Sequence, residues 1–326
     1  MTASTRLEYY GRIVATYLLG RQSALDFWHE VPEVNWRAGA DTIGEYYMPF
    51  AQKSDYSGPC DRSGIPLLNY RGKIGLQYNP IAIAQYGLGN YNLFRRTGDI
   101  SRRNKFLNAA NWLVSNLEPN AKGFLVWHHH FDWEYRVRLK APWYSGLAQG
   151  QGISLLVRVY QDTGDEQYLQ AARYAFRSFL ATPDEGGVTY VDEAGNTWFE
   201  EYIVRPPTHI LNGFIWASWG VFDYYLATSD PIAKALFTGA STTLARNLDH
   251  YDVGFWSLYE QSGTRMKMLA SPFYHALHIV QLKILYRMTG VDVFESFATR
   301  WESYFESSLK RIRALAHKSI FKLCYY

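Results

Sequence analysis

The stretch WFEEYIVRPPTHILNGF, Trp198 to Phe214, sets two carboxylates beside a phenol. Glu200 and Glu201 adjoin Tyr202, and adjacent like charges repel, so each can raise the pKa of the other. A carboxylate and a phenol side by side suggest proton transfer. Folding alone would not select such crowding.

Other polar residues gather in three further stretches. WHHHFDWEYR brings Trp127 and three consecutive histidines, His128, His129 and His130. On a strand only alternate residues share a face, so this run does not supply a metal cage, and no metal site is expected. Polar contacts to a sugar, or a plain strand edge, fit it better. WYSGLAQGQGISLLVRVY carries Tyr144, Gln149 and Gln151 at the start of an otherwise apolar helix. Buried amides need partners, and either substrate hydroxyls or neighbouring backbone would serve. YDVGFWSLYEQSG holds Tyr251 and Tyr259 and precedes a helix that opens with Tyr274, His275, His278 and Gln281. Positions 274, 278 and 281 share one helical face, which suits either an inward polar stripe or residues satisfied by a neighbouring helix.

Four pairs of helices can position these residues. Apolar helices begin near Asn79, Trp143, Pro207 and Ser271, a repeat of 64 residues. Each reaches a similar stop: Thr97-Gly98-Asp99, Thr163-Gly164-Asp165, Thr228-Ser229-Asp230 and Thr289-Gly290-Val291. Gly or Ser ends one helix, and in three of the four Asp can cap the next. Second helices are expected over about 102–117, 165–180, 231–247 and 292–312, amphipathic where the first of each pair is apolar nearly all round. The pattern predicts a mainly α fold, an α/α barrel (toroid) of four helical hairpins with long loops and short strands at one end. The long connections, 118–142, 181–206 and 248–270, are expected to carry the site. A helix over 4–22 and a loop-rich arm to 78 precede the barrel, giving 1–78 as an arm packed on a barrel domain at 79–326.

The totals narrow the class. A 326-residue chain that is 48 % hydrophobic can bury a sizeable core. Its net charge of +3 is spread without long runs, which announces neither nucleic acid nor a membrane surface but suits an anionic substrate. Aromatics make up 17 %, as platforms for sugar rings or as packing between helices. Cys60 and Cys324 have no metal-ligand spacing and form no disulfide framework. No signal peptide or membrane span is read, so a cytoplasmic location is the expectation. A homodimer is left open.

The segments NPIAIAQYGL (79–88), PWYSGLAQGQGISLLVRVY (142–160), WFEEY with HILNGF (198–214), SLYEQSG and YHALHIVQL resemble the C-terminal catalytic domain of the D-glucuronyl C5-epimerases that act on heparosan and heparan sulfate precursors. The resemblance covers about residues 78–305. It implies an α/α barrel, a catalytic set of Glu201, Tyr202, Tyr259 and Tyr274, and an anionic uronate-containing polysaccharide as partner, with no cofactor. Inversion at C5 needs a proton removed beside the carboxylate and another returned on the opposite face of the ring, so acid/base groups must flank it. Expected substrate contacts, in or near the motifs, are Gln85, Tyr86, Trp127, His128, Tyr144, Gln149, Gln151, Arg205, Asn212, Arg265 and His278. The chain departs from the family where Glu260, Gln261 and Ser262 stand in place of an arginine after Tyr259. It departs again where Ser271, Pro272 and Phe273 replace Arg-Trp-Asp before Tyr274. Arg205, Arg265 and Lys267, with Arg136 or Arg138, could hold the anion instead, and a uronate polymer without N-sulfate is compatible. The same carbanion could lead to a lyase. A glycoside hydrolase would need Asp132 or Glu134 opposite the acidic pair, and a glycan-binding protein would need no catalysis.

Overall fold

The structure, a computed structural model, describes residues 27–28 and 30–325, so the helix expected over 4–22 lies outside the described residues. The chain divides into two compact units. The larger comprises Val34–His209 and Gly213–Thr243; the smaller comprises Ile210–Asn212, Leu244 onward and the described residues before Val34.

In the larger unit, residues 34–79 run mostly as loops, with a single helical turn α1 (Ala51–Ser54) and a short hairpin β1 (Leu68–Asn69) and β2 (Leu76–Gln77). Two helical hairpins follow, α2 (Pro80–Thr97) with α3 (Ile100–Ser115) and α4 (Gly146–Thr163) with α5 (Glu166–Phe176). Asn79 caps α2 by accepting from the N–H groups of Ile81 and Ala82, and Ser145 caps α4 through Ala148 N. Every residue from Gly146 to Val159 is buried, whereas α3 buries only Phe106, Ala109, Ala110 and Leu113, the spacing of one helical stripe. The connection between the hairpins forms β3 (Leu117–Pro119) with β4 (Leu125–Trp127), then β5 (Trp133–Glu134) with β6 (Arg138–Leu139). After α5 come short 3-10 turns and the hairpin β7 (Thr189–Val191) and β8 (Thr197–Phe199).

Helix α6 (Leu211–Thr228) and helix α7 (Pro231–Asn247) are joined by Ser229, which takes the left-handed conformation at φ 57°. Phe222 of α6 and Phe237 of α7 pack with ring centroids 4.4 Å apart. In the smaller unit, α8 (Pro272–Thr289) pairs with α9 (Asp292–Glu306), and α10 (Ser308–Tyr325) follows after a break at Ser307.

One device closes the first helix of all four pairs. The hydroxyls of Thr97, Thr163, Thr228 and Thr289 each donate to the carbonyl four residues back, and each accepts the N–H two residues on. The threonine thus satisfies a helix-end carbonyl and fixes the turn into the next helix.

Several boundaries differ from expectation. Trp143 sits in a bridge to His129, so α4 opens three residues later, behind the Ser145 cap. The helix expected at Pro207 opens at Leu211, because His209 adopts φ 47° and its N–H is held by Glu200. The helix expected over 165–180 tightens to 3-10 geometry after Phe176, and the one expected over 292–312 is two helices. Among the described residues no helix is long and apolar enough to cross a membrane.

The arm before α2 is pinned by a buried ion pair. Arg158 bonds Asp223 through both terminal nitrogens, at 2.6 and 3.1 Å, and donates to the carbonyls of Ser154 and Gly44. Tyr47 adds its hydroxyl to Asp223 at 2.7 Å, and Tyr46 lies under the guanidinium with its ring centre 5.0 Å away. A charge removed from water is tolerated where its donors are satisfied in this way.

Candidate active site

The acidic pair sits just beyond β8, and its two carboxylates part company. Glu200 is buried and turned toward the following loop. Its Oε1 lies 2.5 Å from His209 Nδ1, and its Oε2 accepts from the N–H groups of His209 and Thr208 at 3.2 and 3.4 Å. His209 in turn stacks on Trp198, centroids 4.3 Å apart. Glu200 therefore holds the Pro206–His209 turn.

Glu201 is buried without such a partner for its Oε2. Burial is the main cause that pushes its pKa up to about 8, against a hydrogen bond from Tyr202 that favours the ionised form; the Glu200 charge adds to the rise. It is a carboxyl that holds its proton at neutral pH and can release or reclaim one near pH 8. Tyr202 is flanked by the rings of Tyr135 at 4.6 Å and Trp143 at 5.6 Å.

The histidine run lies in varied surroundings. His129 is buried flat against Trp143, and desolvation drops its pKa to about 3, so it stays neutral. His128 is held low by burial, with Glu118 3.6 Å from its Nδ1, while His130 is exposed. Among the described residues no three His, Cys, Asp or Glu converge as metal ligands.

The expected substrate contacts of the larger unit differ in how far the protein itself satisfies them. Trp127 and Gln149 bond to the protein itself. The Trp127 indole donates to Leu113 O and its ring lies on Gly152, while Gln149 accepts from Trp127 N and donates to Leu125 O, Ala175 O and Ser178 Oγ. Gln85 is buried with neither amide atom bonded, and Gln151 bonds Tyr46 at 3.5 Å through Nε2 while its Oε1 is unbonded. Tyr86 is buried and its pKa is pushed up to about 12 by desolvation. Tyr144 reaches Gly187 O at 3.4 Å, and Arg205 is an exposed ion-pair partner of Asp184.

In the smaller unit the rings of Tyr259 and Tyr274 meet edge to face, centroids 4.9 Å apart. The segment bearing Tyr259 is fixed by its N–H to Met268 O at 2.9 Å and by Leu211 N donating to its carbonyl at 3.1 Å. Tyr274 stands in the first turn of α8, its N–H on the Ser271 cap. The two histidines after it are wholly buried around a serine that the sequence did not single out. Ser257 Oγ lies 2.7 Å from His275 Nδ1 and 3.0 Å from His278 Nδ1, and His275 Nε2 bonds Trp301 O. Because Ser257 N–H donates to His275 Nδ1, the His275 proton belongs on Nε2. Burial pushes the pKa of His275 down to about 3 and holds His278 well below its usual range. Gln281 donates to Asn212 O at 3.0 Å. Arg265 and Lys267 are exposed. Glu260, next to Tyr259, is buried and pushed up to about 7 by desolvation, with Ser262 and Lys318 opposing the shift.

The sequence of residues 120–303 matches the family described as D-glucuronyl C5-epimerase C-terminus. A D-glucuronyl C5-epimerase of Caenorhabditis elegans is 31 % identical over 214 residues, which is 61 % of this chain and 34 % of that protein. An uncharacterized protein of Methanocaldococcus jannaschii is 30 % identical over 181 residues, 55 % of this chain and 57 % of its own length. The chain thus spans about a third to a little over half of these relatives. Among solved structures, the cellobiose 2-epimerases of Bacillus thermoamylovorans and Spirochaeta thermophila superpose with TM-scores of 0.54 and 0.51, each 11 % identical. They cover 92 % of this chain and 87 % and 85 % of theirs, and this likeness shows the fold, mainly α and of the α/α-barrel class. With the profile matching over more than half of its residues, the chain belongs to the D-glucuronyl C5-epimerase C-terminus family.

Proposed function

We propose that this protein inverts C5 of hexuronic acid residues within a polysaccharide, of the D-glucuronate to L-iduronate type, by removing the C5 proton and returning one on the other face. The observation that carries the reading is Glu201, a buried carboxyl whose pKa of about 8 lets it exchange a proton near neutrality, hydrogen-bonded to Tyr202. A base needs that poise because the C5 hydrogen is only weakly acidic, even beside the uronate carboxyl. Tyr259 and Tyr274 join the catalytic set on the strength of their motifs. The electron pair left at C5 moves into the carboxylate, and fixed donors must hold that charge. No redox step occurs.

Glu260 adds no positive charge beside Tyr259, which supports a substrate such as heparosan, without N-sulfate. The hydrolase reading is weaker, since Glu200 is engaged by His209 and Asp132, one of the two candidates for the opposing acid, by Arg138. The test is solvent deuterium incorporation at C5, followed by NMR on sulfated and unsulfated uronate glycans. Exchange without chain cleavage is expected, fastest on the unsulfated polymer. Tyr202→Phe, Tyr259→Phe and Tyr274→Phe should each slow it by about 10²-fold or more, the scale of one acid/base group. Cleavage with a new unsaturated end identifies a lyase, and binding with neither outcome identifies a glycan-binding protein.

A further inference from the structure

We infer that Gly213 is a positioning residue for Glu201, its bare Cα face being the seat on which the glutamate side chain rests. The inference builds on the reading of Glu201 as the proton carrier. The chain around Glu201 is held from several sides. Glu200 N donates to Val188 O at 2.9 Å, the Glu200 carbonyl accepts from Gly146 N at 2.8 Å, and the Glu200 carboxylate is fastened to His209. With the backbone fixed, the Glu201 side chain lies directly over the first turn of α6. A methyl group on Gly213 would come within 2.8 Å of Glu201 Cβ and 2.9 Å of its carboxyl carbon, and nearer still to Oε2. Packed atoms do not approach so closely, so any larger residue would drive the carboxyl away. No hydrogen bond to Oε2 competes with this contact, which sets the place of the carboxyl together with the hydrogen bond from Tyr202.

Gly146 plays the matching part on the other side of the dipeptide. A methyl group there would meet the Glu200 carbonyl at 2.7 Å. Each helix that follows a long connection in this unit thus brings a first-turn glycine against the Glu200–Glu201 step. Glycine is a poor helix former compared with alanine, so its presence at 213 runs against the local preference of α6 and is explained by the side chain resting on it.

The test compares Gly213→Ala, Glu201→Gly and the double variant by urea midpoint and by C5 exchange. Gly213→Ala should lower the midpoint and slow exchange by about a hundredfold, as a displaced catalytic group does. It should also move the limb of the pH–rate profile that Glu201 sets. In the Glu201→Gly background, where Cβ, the carboxyl carbon and Oε2 are all removed, the same substitution should raise the midpoint. The inference is overturned if Gly213→Ala lowers the midpoint equally in both backgrounds, or if it leaves rate and pH limb unchanged. Should Gly213→Ala alone fail to fold, a double variant that also fails overturns it, whereas a folded double variant supports it. A midpoint that reverses sign in a protein whose wild type exchanges no C5 hydrogen would sink the proposed reaction and keep the seat, so the two failures are distinct.

Discussion

The indole of Trp143 lies flat against the imidazole of His129, with ring centroids 3.8 Å apart and planes 4° from parallel. Backbone bonds run both ways between the same residues, His129 N to Trp143 O at 2.7 Å and Trp143 N to His129 O at 3.2 Å. This stack fastens the loop after β4 to the entry of α4, and the indole meets the ring of Tyr202 edge to face. Trp143→Ala should cost about 3 kcal/mol in urea titration, the lower end for loss of a large aromatic, since Trp143 is only half-buried. It should also slow C5 exchange. Trp143→Phe keeps a ring over His129 and should retain most of both; an alanine variant with full activity would remove Trp143 from the site.

Arg158 and Asp223 are wholly buried and satisfied by one another, and with Tyr46 and Tyr47 they anchor the arm. Removing one partner leaves an uncompensated charge. Arg158→Met or Asp223→Asn should therefore destabilise by about 3–5 kcal/mol, while replacing both with apolar residues should restore much of the loss. A double variant no better than the worse single one would show that the two charges are not coupled.

The helical hairpins were legible because apolar runs and the Thr-Gly-Asp punctuation are local signals. Even the hydroxyl that closes each helix lies inside the stop it makes. The start of α6 was not legible in this way. A double proline reads as the opening of a helix, yet His209 takes a left-handed conformation that depends on Glu200, nine residues back. Gln149 and Gln151 look alike in the sequence and differ in the fold, because the partners of Gln149 come from Leu125, Ala175 and Ser178 on other elements. The Ser257 contacts to His275 and His278 likewise join a loop to a helix. Such pairings are set by packing, which no spacing rule reports.

Glu200 and Glu201 are neighbours with opposite duties, and substitution should separate them. Glu201→Gln removes the group that carries the proton and is expected to abolish detectable exchange while the protein stays folded. Glu200→Gln keeps a side chain of the same shape but weakens the tie to His209, so it should lower stability by about 1.5–3 kcal/mol, the range for a hydrogen bond to a charged group. Exchange should persist at a reduced rate. Equal loss of activity in both variants, with unchanged stability, would make Glu200 a second catalytic carboxyl.

Stability should depend on pH through Glu201 in a direction that can be worked out. Its pKa is about 8 in the fold against an ordinary 4.5, so between these values the folded state holds a proton that the unfolded state has lost. Stability therefore falls as pH rises through this window, by up to about 1.4 kcal/mol per pH unit for one proton, and levels off above pH 8. Glu260, pushed up to about 7, adds to the fall below that value only. The buried His129, His275 and His278 act oppositely but elsewhere, since their lowered pKa values take stability away as pH drops below about 6.5. Between pH 7 and 8 Glu201 should thus be the main source of the slope among these groups. Glu201→Gln is expected to flatten it, so that the variant gains on the wild type with rising pH and keeps a constant lead above pH 8. Urea titrations at pH 6, 7, 8 and 9 decide the matter: parallel curves for the two proteins across that range would mean that Glu201 is ionised in the folded state at neutral pH.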